Sequence, residues 1–201
     1  MRFLTRRDAT KRIAAALAGF ALAPLPAVAF SREEARSLVD RLVGEINAVI
    51  GSGRSEAAMY QDFERIFARY SDTSYIAAYT LGNDGRSATT AQKRAYSAAF
   101  ETYVARKYGR RFRDFIGGRL EVTEVKQVKK WYEVSSVAYL KGQSPFEVTF
   151  LVSDRSGDNR FFNLYIEGIN MLLTERTEIG SMLDKRRGDI DALIEDLKQA
   201  G

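Results

Sequence analysis

The 201-residue chain contains no cysteine and no histidine. Without cysteine, disulfides, zinc–thiolate sites and cysteine nucleophiles are excluded. Without histidine, the chain lacks the commonest general base and the commonest metal ligand, so a serine–histidine triad and a histidine-ligated metal are excluded as well. Proline is scarce too, and Pro145 is the only proline after residue 29. Long uninterrupted helices and strands are therefore expected beyond that point.

The positive charge of the chain is concentrated at its beginning. The formal net charge is +5, and residues 1–29 hold five basic residues against one acidic residue, a net charge of +4. The other 172 residues therefore carry a net charge of only +1. A nearly neutral body lacks the basic surface that is typical of nucleic-acid-binding domains, so no nucleic-acid partner is expected.

Residues 1–29 have the layout of an export signal. Basic residues extend to Arg12, residues 13–23 are uncharged and largely apolar, and alanines at 27 and 29 form a small-x-small cleavage site. The start resembles a twin-arginine signal in Arg6, Arg7 and Lys11, and the Sec route stays open. The apolar run is short for a membrane anchor. We predict a signal peptide over 1–29, a single domain over 30–201 and a location in the periplasm.

The mature chain begins with helical periodicity. Apolar residues recur at helical spacing from residue 31 to about residue 117, with glycines at the ends of the runs. Ser31 with Glu34 and Thr89 with Gln92 form capping-box patterns. The spacing predicts four helices in this half. The last of them carries apolar residues as far as Phe115, and Gly109 is a position at which it can break or kink.

The period then changes to that of β-strands. Leu120 and Val122 alternate with charges before Val125 breaks the pattern, which predicts a bulge. Two further apolar sets share one face if residues 142–144 form a three-residue hairpin loop; they are Tyr132, Val134, Ala138 and Leu140, then Phe146, Val148, Phe150 and Val152. A fourth strand carries Phe162, Leu164 and Ile166, and helices over 170–185 and 189–200 close the chain. This order predicts an α+β fold in which a twisted antiparallel sheet of about four strands packs against N- and C-terminal helices.

Two stretches of the mature chain carry a pattern known from one family. The first begins at Leu81-Gly82 and continues with Arg86, Thr89, Gln92, Tyr96, Phe100 and Tyr108. The second is residues 162–170, with the pair Glu167-Gly168, followed by Arg176 and by residues 191–194 in the closing helix. In order and spacing these residues resemble the MlaC family of toluene-tolerance auxiliary proteins, with Gly85 standing where that family usually has tryptophan.

The resemblance implies a carrier and not an enzyme. Members of this family are soluble periplasmic proteins that shuttle phospholipid between an outer-membrane lipoprotein complex and an inner-membrane ABC transporter with an MCE component, which maintains the lipid asymmetry of the outer membrane. The implied fold encloses a deep apolar cavity for the acyl chains. The single domain over 30–201 is then a phospholipid-binding domain with phospholipid as its cargo. No cofactor or metal is expected, and we expect a monomer.

The apolar face of the predicted sheet and the two closing helices supply the residues of the candidate cavity wall. The lipid-binding residues predicted on this basis are Val134, Ala138, Phe146, Val148, Phe150, Leu164, Ile166, Met171, Leu172 and Met182. Methionines suit a lining that adapts to its ligand. Periodicity alone does not distinguish a hollow core from a filled one, so ordinary core packing is the alternative for each of these residues.

Other interpretations remain open at this stage. A small enzyme of isomerase type would use Glu167 as its base with tyrosines such as Tyr165 in an apolar pocket. A purely structural interaction protein would have a filled core. Basic residues cluster around 106–113, on the first strand and after the fifth helix, where they either face an anionic headgroup or membrane surface or form a solvated face. We favour the solvated face.

Overall fold

The described residues fold as four α-helices, a five-stranded sheet and two further α-helices. A computed structural model describes residues 30–110 and 115–200, and the predicted signal peptide lies outside these residues. In the described part the elements are α1 (Arg32–Ile50), α2 (Glu56–Tyr70), α3 (Thr73–Leu81), α4 (Thr90–Gly109), β1 (Arg119–Val128), β2 (Trp131–Tyr139), β3 (Phe146–Ser153), β4 (Arg160–Ile166), β5 (Ile169–Asn170), α5 (Met171–Lys185) and α6 (Ile190–Gln199). This order confirms the predicted α+β fold, and β5 adds a two-residue fifth strand.

Both predicted capping boxes are present. The Ser31 hydroxyl accepts a hydrogen bond from the backbone N–H of Glu34, whose carboxylate accepts from the Ser31 N–H at 2.8 Å. Thr89 and Gln92 make the same exchange at the start of α4. Such caps stabilise a helix by about 1 kcal/mol each. Helix α4 ends at Gly109, the glycine at which the sequence allows a break, and Phe115 lies beyond it with 3₁₀ geometry.

The strands form an antiparallel meander in the order β1-β2-β3-β4-β5. Val134 pairs with Phe150 across β2 and β3, so the two predicted apolar sets do share one face. The predicted three-residue loop is wrong, since β2 and β3 are joined by the six residues 140–145. The longer loop moves the register by two positions. Side chains alternate with a period of two, so every apolar residue stays on its predicted face.

Two bulges interrupt the sheet. The first lies between Val122 and Glu124 on β1, as the broken alternation predicts. The second was not predicted: the register of β3 and β4 shifts so that Val152 pairs with Phe161, while Leu151 pairs with Asn163. As a result Phe161 and its neighbour Phe162 are both buried.

The helices cover one face of the sheet. Helix α1 packs on the first three strands, and α3 and α5 pack on β4. The Asn47 side chain exchanges two hydrogen bonds of 2.9 Å with the backbone of Leu120, which ties α1 to β1. Arg160 of β4 donates to the carbonyls of residues 68, 69 and 71 at the end of α2. No helix within the described ranges is both long and apolar enough to span a membrane.

Candidate functional site

A cavity of about 170 Å³ lies between the helices and the sheet. A single water needs roughly 10–15 Å³ on this measure, so the space is much larger than a packing defect. Asn163, Glu175 and the hydroxyl of Tyr108 are the polar groups among its lining residues. The rest of the wall is apolar: Ile46, Phe63, Ile66, Phe67, Ile76, Phe100, Val104, Ala105, Phe115, Leu120, Val148, Phe150, Phe161, Phe162, Leu164, Ile166, Met171 and Leu172.

The structure places six of the ten predicted wall residues on this cavity. They are Val148, Phe150, Leu164, Ile166, Met171 and Leu172. The first four are direct cross-strand partners, Val148 with Ile166 and Phe150 with Leu164, so one patch of β3 and β4 forms the floor. Met171 and Leu172 begin α5 beside it. Contact of these residues with lipid stays a prediction.

The other four predicted residues do not line the cavity. Val134 and Ala138 lie on β2, where α1 packs on the sheet, and both are fully buried in filled core. Phe146 packs edge-to-face on Phe115, with ring centroids 6.3 Å apart. Met182 follows Met171 by eleven residues, about 16 Å along the helix, and borders a shallow surface depression instead.

The helical half of the wall was not predicted as a lining. It consists of residues such as Ile46, Phe63, Ile66 and Phe100, which their helical spacing assigns only to the buried face of a helix. No sequence signal could have separated them from ordinary core, because both situations require the same apolar side chains. Aromatic packing then shapes the space: Phe161 makes edge-to-face contacts with Phe67 and Phe150, at centroid distances of 5.9 and 5.7 Å.

A polar cluster joins α4 to α5 beside the cavity. Lys107 Nζ donates to Glu175 Oε1 at 2.7 Å and also contacts Glu178. The Tyr108 hydroxyl donates to Glu175 Oε1, and the Tyr103 hydroxyl donates to Glu178 Oε1 at 2.7 Å. We call these five residues, Tyr103, Lys107, Tyr108, Glu175 and Glu178, the α4–α5 cluster. Sequence analysis placed Lys107 on a solvated basic face, whereas the structure half-buries it between two carboxylates.

The contacts of the cluster shift the pKa of two of its members, Glu178 and Tyr103. Partial burial raises the pKa of Glu178, but hydrogen bonds from Lys107 and Tyr103 outweigh this effect and the pKa is lowered overall. Burial, followed by the hydrogen bond to Glu178, raises the pKa of Tyr103. At neutral pH Glu178 is therefore ionised and Tyr103 is a hydrogen-bond donor.

Glu167 does not face the cavity. It lies in the exposed two-residue turn between β4 and β5, with φ of +50° followed by +78° at Gly168, and Ile166 pairs with Ile169 on either side. The Tyr165 hydroxyl accepts a hydrogen bond from the Asn170 amide, at 3.2 Å. The isomerase interpretation thus loses the base on which it depended. Within residues 30–110 and 115–200 no group of acidic side chains is arranged to hold a metal ion.

A comparison with family models finds a match to the MlaC protein family over residues 36–199. The chain belongs to the MlaC family. Among solved structures, a phospholipid-binding protein from Ralstonia solanacearum in complex with a phospholipid has the same fold, with a TM-score of 0.70. The match covers 82% of this chain and 95% of that chain, at 16% sequence identity. The family assignment rests on the sequence match, and the structural match shows that the two chains share a fold.

Proposed function

We propose that this MlaC-family chain is a phospholipid carrier that holds the acyl chains of its cargo in the cavity between the helices and the β3–β4 floor. The observation that supports the proposal most strongly is a wall of apolar side chains drawn from eight helices and strands around one space. A filled core, as an interaction protein would have, leaves no such space. Bound phospholipid is cargo in this proposal, and no cofactor takes part.

The energetics of the cargo explain why a carrier needs partners. Removing one methylene from water is worth about 0.8 kcal/mol, so two chains of about 15 methylenes represent on the order of 24 kcal/mol. Escape of the lipid into water is therefore extremely slow. We propose that membrane complexes at both ends receive and load the lipid: the outer-membrane lipoprotein complex and the inner-membrane ABC transporter with its MCE component. Transfer between them would maintain outer-membrane lipid asymmetry.

The proposed location is the periplasm. The export-signal pattern of residues 1–29 supports it. The packing of Phe30, the first residue after the predicted cleavage site, is compatible with cleavage there. Phe30 lies edge-to-face on Tyr132, with ring centroids 5.2 Å apart, and its carbonyl accepts a hydrogen bond from the Tyr132 hydroxyl. Cleavage after residue 29 would leave this contact intact.

Native mass spectrometry tests the proposal directly. The full chain is expressed with its own leader, and the protein is purified from the periplasm without detergent. We expect a polypeptide mass that begins at Phe30 and an additional mass equal to one two-chain phospholipid. Delipidation should remove the extra mass, and incubation with phospholipid vesicles should restore it.

The negative result is equally clear. A periplasmic protein that carries no lipid and takes none up from vesicles would refute the carrier. A protein of unprocessed mass in the cytoplasm would refute the proposed location and leave the carrier to be judged on vesicle uptake alone.

A further inference from the structure

Glu175 carries a carboxylate oxygen with no partner. The residue is only 3% exposed, and its Oε1 accepts hydrogen bonds from Lys107 and Tyr108. Its Oε2 is buried and has no hydrogen-bond partner. Leaving a buried charged oxygen unsatisfied is unfavourable, so such an atom usually has a ligand or a water as its partner.

Glu175 is also part of the cavity wall, so a ligand in the cavity is a candidate for that partner. The other polar side chain from the same region, Asn163, is fully engaged: its Nδ2 donates to Asn170, and its Oδ1 accepts from the backbone N–H groups of Leu164 and Leu172. The Tyr108 hydroxyl is used in donating to Glu175. Among the described wall residues, Oε2 is thus the charged acceptor that has no hydrogen-bond partner within the protein.

The charge of the cluster favours a cationic donor. Glu175 and Glu178 both form their ion pairs with Lys107, and no other described cation pairs with either of them. Two carboxylates against one ammonium leave a formal charge of −1 beside a low-polarity space. A positively charged N–H donor would both satisfy Oε2 and neutralise this charge.

The position of Glu175 along α5 suits a headgroup. It lies four residues after Met171, about 6 Å from the beginning of the helix. That end of the molecule carries two of the exposed large apolar residues, Ile169 at 59% and Leu173 at 51% exposure. A lipid whose tails lie on the apolar floor of β3 and β4 can place its polar end at this exposed beginning of α5.

We propose that Glu175 is a headgroup subsite, in which Oε2 accepts a hydrogen bond from the primary ammonium of an ethanolamine-type phospholipid. The inference rests on the proposed carrier function and adds selectivity to it. A choline headgroup is the matched contrast, because its quaternary ammonium has no N–H to donate. A hydrogen bond to a charged group corresponds to about a tenfold preference.

The test is a loading competition followed by native mass spectrometry. Delipidated protein is incubated with vesicles that contain equal amounts of phosphatidylethanolamine and phosphatidylcholine of identical acyl chains. We expect the wild-type protein to load the ethanolamine lipid about tenfold over the choline lipid. Glu175→Gln should still load lipid, with the preference lost. Glu178→Gln is the matched control, since it removes the same charge from the cluster at a position outside the cavity wall, and it should retain the preference.

The outcomes separate the two proposals. Wild-type loading without a headgroup preference would assign Oε2 to a water and overturn the subsite while leaving the carrier intact. A preference that survives in Glu175→Gln, or that disappears equally in Glu178→Gln, would overturn it too. No loading of either lipid by the wild type would refute the carrier function and the subsite together. The wild-type competition decides the question even if Glu175→Gln does not fold.

Discussion

At the scale of single residues, Lys107 is the cation that makes the burial of Glu175 tolerable. Its ammonium is 2.7 Å from a carboxylate whose side chain is 5% exposed. Removing one partner of a buried pair leaves the other charge uncompensated. We expect Lys107→Met to lower the free energy of unfolding by about 3 kcal/mol, at the lower end of the range for such losses because Lys107 keeps some contact with water. Urea unfolding at pH 7 measures this change.

Lys198→Met is the control for that loss. Its ion pair with Glu195 is exposed on both sides, and such pairs contribute about 0.2–1 kcal/mol. An equal effect of the two substitutions would contradict the role given to Lys107. The loss of unfolding free energy in Lys107→Met should also depend on pH. Because the pKa of Glu178 is lowered in the folded protein, its contribution is present above the ordinary value of 4.5 and is lost as the pH falls through the lowered value.

At the scale of secondary-structure elements, the β4–β5 hairpin has an unfavourable residue in its turn. Two-residue turns with positive φ at both central positions favour Asn-Gly, and here Glu167 occupies the first position at +50°. We expect Glu167→Asn to stabilise the protein by about 0.5–1 kcal/mol, because asparagine adopts this conformation at lower cost. Thermal unfolding measures the gain.

The opposite substitution provides the contrast. Glu167→Val places a β-branched residue at positive φ and should lower the melting temperature. Neither variant should change phospholipid loading, since Glu167 lies outside the cavity wall. A loss of loading in Glu167→Asn would return this carboxylate to consideration as a functional group.

The elements also delimit what the sequence could predict. The alternation of apolar residues along the strands correctly predicted one shared face for Val148, Phe150, Leu164 and Ile166. A register error of two positions, as the wrong loop length caused, does not move a side chain to the other face of the sheet. The bulge that buries Phe161 breaks that period and left no trace in the pattern. The pairing of Lys107 with Glu175 joins residues 68 apart in the chain, and local spacing contains no information about it. The caps were predictable because each involves residues only three apart.

At the scale of the whole molecule, the main question is whether the core is hollow. Val148 and Val134 lie on the same sheet face in neighbouring strands, but only Val148 lines the cavity. We expect Val148→Phe to fit into the cavity, with little change in melting temperature and a clear loss of phospholipid loading. Val134→Phe must overpack a filled core, which costs about 1–3 kcal/mol.

Calorimetry and native mass spectrometry on the two variants provide the measurement. Equal destabilisation of both would mean that the space beside Val148 is not available to a ligand. Unchanged loading in Val148→Phe would place the acyl chains elsewhere, even if the variant is stable.

Strand β1 lies at one edge of the described sheet, where Asn47 already engages the backbone of Leu120, and its bulge bears on how copies of the protein meet. An unpaired edge is a template on which a strand of another copy can add. Here the register break between Val122 and Glu124 interrupts the regular ladder of N–H and C=O groups, and Glu121, Glu124 and Lys126 carry charge along the same strand. At the opposite edge, β5 pairs with only Tyr165 and Ile166 of β4, and Phe161 of β4 bridges to Ser71. We therefore expect neither edge to offer a long regular template for a strand of another copy, and we expect little fibrillar aggregation at high protein concentration.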